Sequence, residues 1–236
     1  FTWQNNTLRD ERIILDNLPG GTIHNGGRLR FGPDGKLWIL TGDAGQPNLA
    51  QDRNSLGGKV LRLNDDGSIP TDNPIPTSAV YSLGHRNPQG LAWHPTTNEL
   101  YITEHGSNAY DEINRIQPNG NYGWPLVQQC NANNPNFINP SLCSGTTTWA
   151  PSGIAALSSL PNSFVFTGLR SALLKRITMT NGTVTYQEDI IQGSYGRLRG
   201  VITGPDGALY VSTSNHDGRG NPRPGDDKIL RITHDF

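Results

Sequence analysis

Residues 28–43 read RLRFGPDGKLWILTGD, and the same pattern returns at 90–105 (GLAWHPTTNELYITEH) and 200–215 (GVITGPDGALYVSTSN). Each copy is a short apolar run, a turn, and a second strand with apolar residues on alternate positions. In Pro33-Asp34-Gly35 and Pro205-Asp206-Gly207 the proline presets φ, the aspartate bonds its own backbone and the glycine supplies a positive φ, so both are turns. Pro95-Thr96-Thr97-Asn98 is a looser version. An antiparallel hairpin pairs residues placed symmetrically about its turn, which converts spacing into proximity. His24 and Asp43 are symmetric about the first turn, Arg86 and Ser107 about the second, and Arg197 and Ser214 about the third. His24 is therefore expected to meet Asp43, and His85-Arg86-Asn87 to lie beside Glu104-His105-Gly106-Ser107, within a residue or two where a bulge shifts the register.

The 236-residue chain holds 28 glycines and 17 prolines and shows no long helical periodicity, the profile of an all-β domain built from many short strands. Pro33, Pro95 and Pro205 stand 62 and 110 residues apart, one and about two repeats, and a period near 50 residues is the signature of a β-propeller of four-stranded antiparallel blades. The missing copy falls at 149–179, where SFVFT (163–167) and LLKRI (173–177) read as strands. KILRIT at 228–233 matches KVLRLN at 59–64 and EINRIQ at 112–117. The expectation is a single propeller domain over 1–236 with about four blades covered. Residues 1–20 read as outer strands of a blade whose inner strands would precede Phe1. A fragment or processed form lacking one or two N-terminal blades is expected, with an open edge that invites association.

A net charge of −1 argues against a nucleic-acid partner, and no stretch approaches the roughly 20 apolar residues of a membrane span. The two cysteines, Cys130 and Cys143, flank a polar segment, CNANNPNFINPSLC. A disulfide closing that loop is the preferred reading, implying an oxidising compartment, over two unpaired thiols. Asn5-Asn6-Thr7 and Asn181-Gly182-Thr183 match the glycosylation triplet.

Five ordered motifs then carry a resemblance: HNGGRLRFGPDGKLWILTGDAG from His24, GHRNPQGLAWHP from Gly84, EHGSNAYDEINRIQPNGNYGWP from Glu104, GRLRGVITGPDG from Gly196 and DGRGNPRPGDDKILRI from Asp217. From about Ile13 to Thr233 the chain resembles the soluble quinoprotein glucose/aldose sugar dehydrogenases, six-bladed propellers that use pyrroloquinoline quinone (PQQ) and calcium. The resemblance implies that His24 is the general base, oriented by Asp43, and that sugars are oxidised at the anomeric carbon to lactones. It places Arg86, with a catalytic as well as a binding role, and Asn87 at the quinone oxygens. Arg197 and Arg199 fall among the contacts to the cofactor carboxylates, and Arg170 where the family often has lysine. The chemistry is coherent: a neutral imidazole accepts a hydroxyl proton near neutral pH, and a guanidinium fork suits a carboxylate. From spacing alone, His24 as a turn residue and Asp43 as a capping aspartate is an equal reading.

The resemblance further implies calcium on the backbone carbonyls of Gly106 and Ser107, the latter replacing a common proline. Asp111 and Glu112 as carboxylate ligands rank below this. Ile23 stands where glucose-specific members carry an acidic residue, so tight glucose selectivity is not expected, and Asn48 stands where some members place a glutamine near the site. The implied partners are an aldose and an unidentified electron acceptor, and the implied location is periplasmic or extracellular. The alternatives are a non-catalytic sugar- or protein-binding propeller and a calcium-dependent lactonase, which would need carboxylate and Asn side chains clustered at the channel centre. Retention of His24, Asp43, Arg86, Asn87, Arg197 and Arg199 together favours redox chemistry.

Overall fold

The computed structural model describes residues 1–157 and 159–233. A ribbon of β1 (Thr2–Gln4) and β2 (Thr7–Arg9) precedes four antiparallel sheets. The first holds β3 (Gly26–Phe31), β4 (Leu37–Thr41), β5 (Lys59–Leu63) and β6 (Val80–Leu83) in that order. The second holds β7 (Pro88–Trp93), β8 (Leu100–Glu104), β9 (Glu112–Arg115) and β10 (Leu142–Cys143). The third holds β11 (Pro151–Ala156), β12 (Ser163–Gly168), β13 (Leu173–Thr180) and β14 (Thr183–Gln192), the fourth β15 (Leu198–Thr203), β16 (Leu209–Thr213) and β17 (Ile229–Ile232). The first strand of each sheet packs on the first strand of the next, the arrangement of propeller blades. The inferred fourth copy is the third sheet, and the three matching motifs are β5, β9 and β17, each the third strand of its blade.

Core packing lies between blades. Trp38, Leu40 and Val60 meet Leu91, Leu100 and Ile102; Tyr101 and Ile113 meet Ile154, Phe164 and Phe166; Val165 and Leu174 meet Leu198, Val201 and Leu209. The second strands of the first three sheets are consequently buried on both faces, which explains apolar runs such as LWIL. The outward faces of the first and last sheets leave Leu29, Phe31, Ile202 and Ile229 exposed.

Every first hairpin carries the same irregularity. Pairing runs Leu29↔Ile39 and then Gly26↔Thr41, and the equivalent one-residue slip separates Gly90↔Thr103 from Pro88↔Glu104, Ile154↔Phe166 from Pro151↔Gly168, and Val201↔Val211 from Leu198↔Thr213. The expected symmetry survives beyond the bulge in the first and third copies. In the second it moves by one residue, so that His105 N–H bonds the Asn87 carbonyl. A Cβ on Gly90 would lie 2.1 Å from the Ser152 carbonyl oxygen, and one on Gly153 would lie 2.6 Å from Val201 N. Glycine is required there because neighbouring first strands touch backbone to backbone.

At the opposite end, the turn acids do more than shape turns. Asp34 accepts from Lys36 N–H (3.1 Å), Trp38 Nε1–H (3.2 Å) and Arg62 Nε–H (2.9 Å). Asp206 accepts from Ala208 N–H (3.2 Å), Tyr210 O–H (3.0 Å) and Arg231 Nε–H (3.0 Å). Glu99, from the looser turn, meets Tyr101 (3.5 Å) and Arg115 (2.8 Å). Each clamp ties the turn to the second and third strands of its blade.

A buried network underlies the second blade. His85 bonds Ser82 Oγ through Nε2 (2.8 Å) and Glu104 Oε2 through Nδ1 (2.8 Å), while Asn114 Nδ2–H donates to Glu104 (3.2 Å) and Glu112 (2.9 Å). Ser82, His85 and Glu104 have the connectivity of a nucleophilic triad, but all three are buried, so their role is structural. Burial first, then the charges of Glu104 and Asp111, push the Glu112 carboxyl up to about 8, against the Asn114 bond. Cys130 and Cys143 are disulfide-bonded, pinning the polar loop to β10.

Two outcomes are expected in urea denaturation. Asp34→Ala strands the largely buried Trp38 N–H and part of the Arg62 fork and should cost about 1–3 kcal/mol; a change below about 0.5 kcal/mol would refute the clamp. Folded Glu112 keeps a proton that the unfolded chain releases above its ordinary 4.5, so stability should fall as pH rises from about 4.5 to about 8 and then level off. Glu112→Gln, which preserves an acceptor for Asn114, should flatten that fall. Parallel pH profiles for the variant and the parent would contradict the assignment.

Candidate active site

His24 lies just before β3 and Asp43 just after β4, and the hairpin brings them together as its symmetry requires. His24 has φ +57°, uncommon for a residue with a side chain, and its carbonyl accepts from Ala44 N–H (3.0 Å). Asp43 is fully buried. Its Oδ1 accepts from His24 Nδ1–H (2.8 Å) and Gly45 N–H (2.8 Å), and its Oδ2 from Trp124 Nε1–H (2.9 Å). Burial works to raise the carboxyl, but the bonds from His24, Gly45 and Trp124 outweigh it and hold Asp43 below the ordinary carboxylate value. The ionised Asp43 puts the imidazole proton on Nδ1. Nε2, with no protein partner among the described residues, is left as an acceptor on a ring that lines a cavity of about 1340 Å³.

Arg86 enters the cavity from the start of β7. Its N–H donates to Glu104 Oε1, and its guanidinium lies 5.2 Å from the centroid of the Trp124 ring. Among the described residues the only hydrogen bond from that side chain is a long one to the His105 carbonyl (3.4 Å), and Nε is buried without a partner. Burial pulls the guanidinium pKa down, countered by the charges of Asp43, Glu104 and Asp111. Asn87 accepts from Gly26 N–H (3.3 Å) and Gln89 (3.0 Å) and donates to His105 Nδ1 (3.3 Å). His105 in turn donates Nε2–H to the Pro151 carbonyl (2.9 Å), and burial lowers it to about 4. Three blades are thus linked by one chain of neutral groups.

The turn after β8 is held by Asp111, which accepts from Gly106 N–H (3.0 Å), Trp149 N–H (2.6 Å) and Ala150 N–H (2.9 Å). The carbonyls of Gly106 and Ser107 accept no hydrogen bond among the described residues, and both residues line the cavity. Asp111 and Glu112 are committed to backbone amides and to Asn114, so these two carbonyls are the hard donors left for a cation. Arg197 and Arg199 converge on Asp217 Oδ2 at 2.9 and 2.8 Å, and Arg199 also bonds Ser214 Oγ (2.8 Å). The exposed guanidinium of Arg170 lines the cavity with no partner among the described residues.

Eight of the expected residues therefore surround one space: His24, Arg86, Asn87, Gly106, Ser107, Arg170, Arg197 and Arg199. Asp43 stands behind His24 rather than in the wall. Asn48 is different. It is exposed on the short 3-10 helix Pro47–Ala50 and does not line the cavity, because that helix turns it to solvent. Trp124 and Asp217 were not anticipated, though both stand inside quoted motifs, and neither has a hairpin partner from which its position could be read.

The family model described as Glucose / Sorbosone dehydrogenase matches residues 1–231. Aldose sugar dehydrogenase YliI of Escherichia coli (strain K12) is 38% identical over 235 residues, which cover 89% of this chain and 63% of that protein. Quinoprotein glucose dehydrogenase B of Acinetobacter calcoaceticus is 46% identical over 143 residues, 51% of this chain and 30% of that protein. The PQQ-bound structure of aldose sugar dehydrogenase from Streptomyces coelicolor superposes with a TM-score of 0.85 at 44% identity, covering 91% of this chain and 63% of that one. The chain spans less than two thirds of the length of each. With a match over nearly all its described residues, the chain belongs to the glucose/sorbosone dehydrogenase family.

Proposed function

We propose that this chain is the catalytic part of an aldose dehydrogenase that binds PQQ and calcium in the cavity and oxidises the anomeric carbon of a sugar to the lactone. The observation that carries the reading is His24, whose Nδ1 is locked to a buried carboxylate while Nε2 is free on a ring lining the cavity. The residues fit the cofactor. Among the described residues Arg86 offers a buried, unpartnered Nε–H and Arg170 an unpaired guanidinium, while Arg197 and Arg199, bridged by Asp217, form a cationic pair for carboxylates. The free Gly106 and Ser107 carbonyls suit calcium. The bound cofactor supplies a two-electron acceptor for hydride, made more electrophilic by calcium.

In the chemical step His24 Nε2 takes the proton of the anomeric hydroxyl. The C–H bond breaks with its electron pair leaving as hydride, and the carbon–oxygen double bond of the lactone forms. Asp43 stabilises the imidazolium and keeps the ring in orientation. Ile23 beside His24 lines the cavity with an apolar side chain, which fits broad acceptance of aldoses better than selection of one. No group of three or more His, Cys, Asp or Glu side chains suited to a metal occurs among the described residues, and the cavity is rich in arginine, a poor match to the carboxylate cluster of a lactonase. The disulfide suits export to the periplasm or beyond.

Protein reconstituted with PQQ and calcium should change its absorption spectrum when an aldose is added. His24→Ala should lower kcat at least about a hundredfold while PQQ still binds in a spectral titration. Parallel loss of binding and turnover would make His24 a cofactor contact rather than the base, and an unchanged spectrum with every aldose tried would sink the dehydrogenase reading.

A further inference from the structure

Trp124 touches both the base's carboxylate and the cavity's buried arginine. Its indole N–H donates to Asp43 Oδ2 at 2.9 Å, and its ring face carries the Arg86 guanidinium at 5.2 Å. The two oxygens of Asp43 are not equivalent. Oδ1 serves His24 and Gly45, whereas the sole donor to Oδ2 among the described residues is Trp124. Asp43 has no exposed surface, so nothing else is at hand to satisfy that oxygen. The charged or titratable groups facing the pair are Arg86 and His105 from the next blade; the Arg86 carbonyl accepts from Asp43 N–H (2.8 Å), but among the described residues its guanidinium makes no hydrogen bond to the Asp43 carboxylate.

Trp124 is itself held from two sides. Its N–H bonds the Gly84 carbonyl (3.0 Å), and its carbonyl accepts from Gln51 Nε2–H (2.6 Å). The Gln51 amide is further locked by a reciprocal pair with Asn121, at 3.1 and 2.8 Å. A loop following β9 of the second blade is thereby fastened to the segment that follows Asp43 in the first. From this geometry we infer that Trp124 is a positioning residue for the His24–Asp43 pair, acting through its indole N–H. The inference rests on the reading of His24 as the base.

An indole packed only for its apolar surface would be replaceable by another ring. A positioning N–H would not. Removing the donor concentrates carboxylate charge on the oxygen that faces His24, which favours the imidazolium, and it also frees the carboxylate to rotate.

The test is Trp124→Phe, which keeps an aromatic face for Arg86 and removes the N–H. Histidine NMR of the cofactor-free chain, with the His24 signal assigned through His24→Ala, should show the His24 midpoint raised by about half a pH unit or more. In reconstituted enzyme the acid limb of kcat/KM should move the same way and kcat fall about tenfold, with PQQ affinity within about twofold of the parent. If Trp124→Phe does not fold, benzothienylalanine at position 124, which puts sulfur in place of the N–H, is measured instead. An unmoved His24 midpoint together with an unmoved pH profile overturns the inference. Sugar oxidation that survives His24→Ala overturns the base reading instead, and the NMR midpoint still decides whether Trp124 acts on the pair.

Discussion

Backbone lies against backbone where the first strands of neighbouring sheets pass one another, at Gly90 beside Ser152 and at Gly153 beside Val201. A methyl group at either point would drive the blades apart. That spacing fixes how close the strand starts can come, and therefore whether Arg86 and Arg197, two blades apart, can border one space with His24. The recurring one-residue bulge sits at the same level in all four sheets. A bulge bends its strand and re-aims the side chains beyond it, so the polar residues that precede each first strand are delivered to the cavity by a device repeated in each blade.

The two ends of the blades use charge in opposite ways. At the turns, Asp34, Glu99 and Asp206 each find an aromatic polar tip and an arginine within their own blade, so those charges are internally balanced. At the strand starts, balance is only partial: Asp217 bridges Arg197 and Arg199, but other polar groups stay unspent. Arg86 keeps a buried N–H unspent, Arg170 has no partner among the described residues, and two carbonyls of the Gly106–Ser107 turn accept nothing. Unsatisfied groups in a concave site cost stability unless a ligand completes them. The same residue types are thus structural at one end of the blade and available for binding at the other.

This division explains what could be read before the fold was seen. Hairpin contacts such as His24 to Asp43 follow from a two-residue period and a recognisable turn, and the bulge displaced only the second copy by one residue. The resemblance supplied most of the cavity wall, because the motifs that carry it are the segments at the strand starts. Contacts between blades had no such rule. Trp124 reaches Asp43 across 81 positions, and Asp217 is drawn to Arg197 and Arg199 from a loop without periodicity. Asn48 was placed by the resemblance alone, and no local pattern told which way the 3-10 helix Pro47–Ala50 would face; the helix turns it to solvent, away from the cavity wall.

The balance at Asp43 then has a physical logic. Burial alone would raise its proton affinity, and a protonated Asp43 would donate to Nδ1, so that the imidazole's own proton would sit on Nε2 and the ring would be in the wrong tautomer. Donors from His24, Gly45 and Trp124 outweigh burial, so the carboxylate stays ionised, the proton stays on Nδ1, and Nε2 remains an acceptor. Two of the three donors come from the first blade and the third from the second. The protonation state of the candidate base therefore depends on how the first two blades dock, and the packing of Trp38, Leu40 and Val60 on Leu91 and Ile102 does part of the chemistry's preparation.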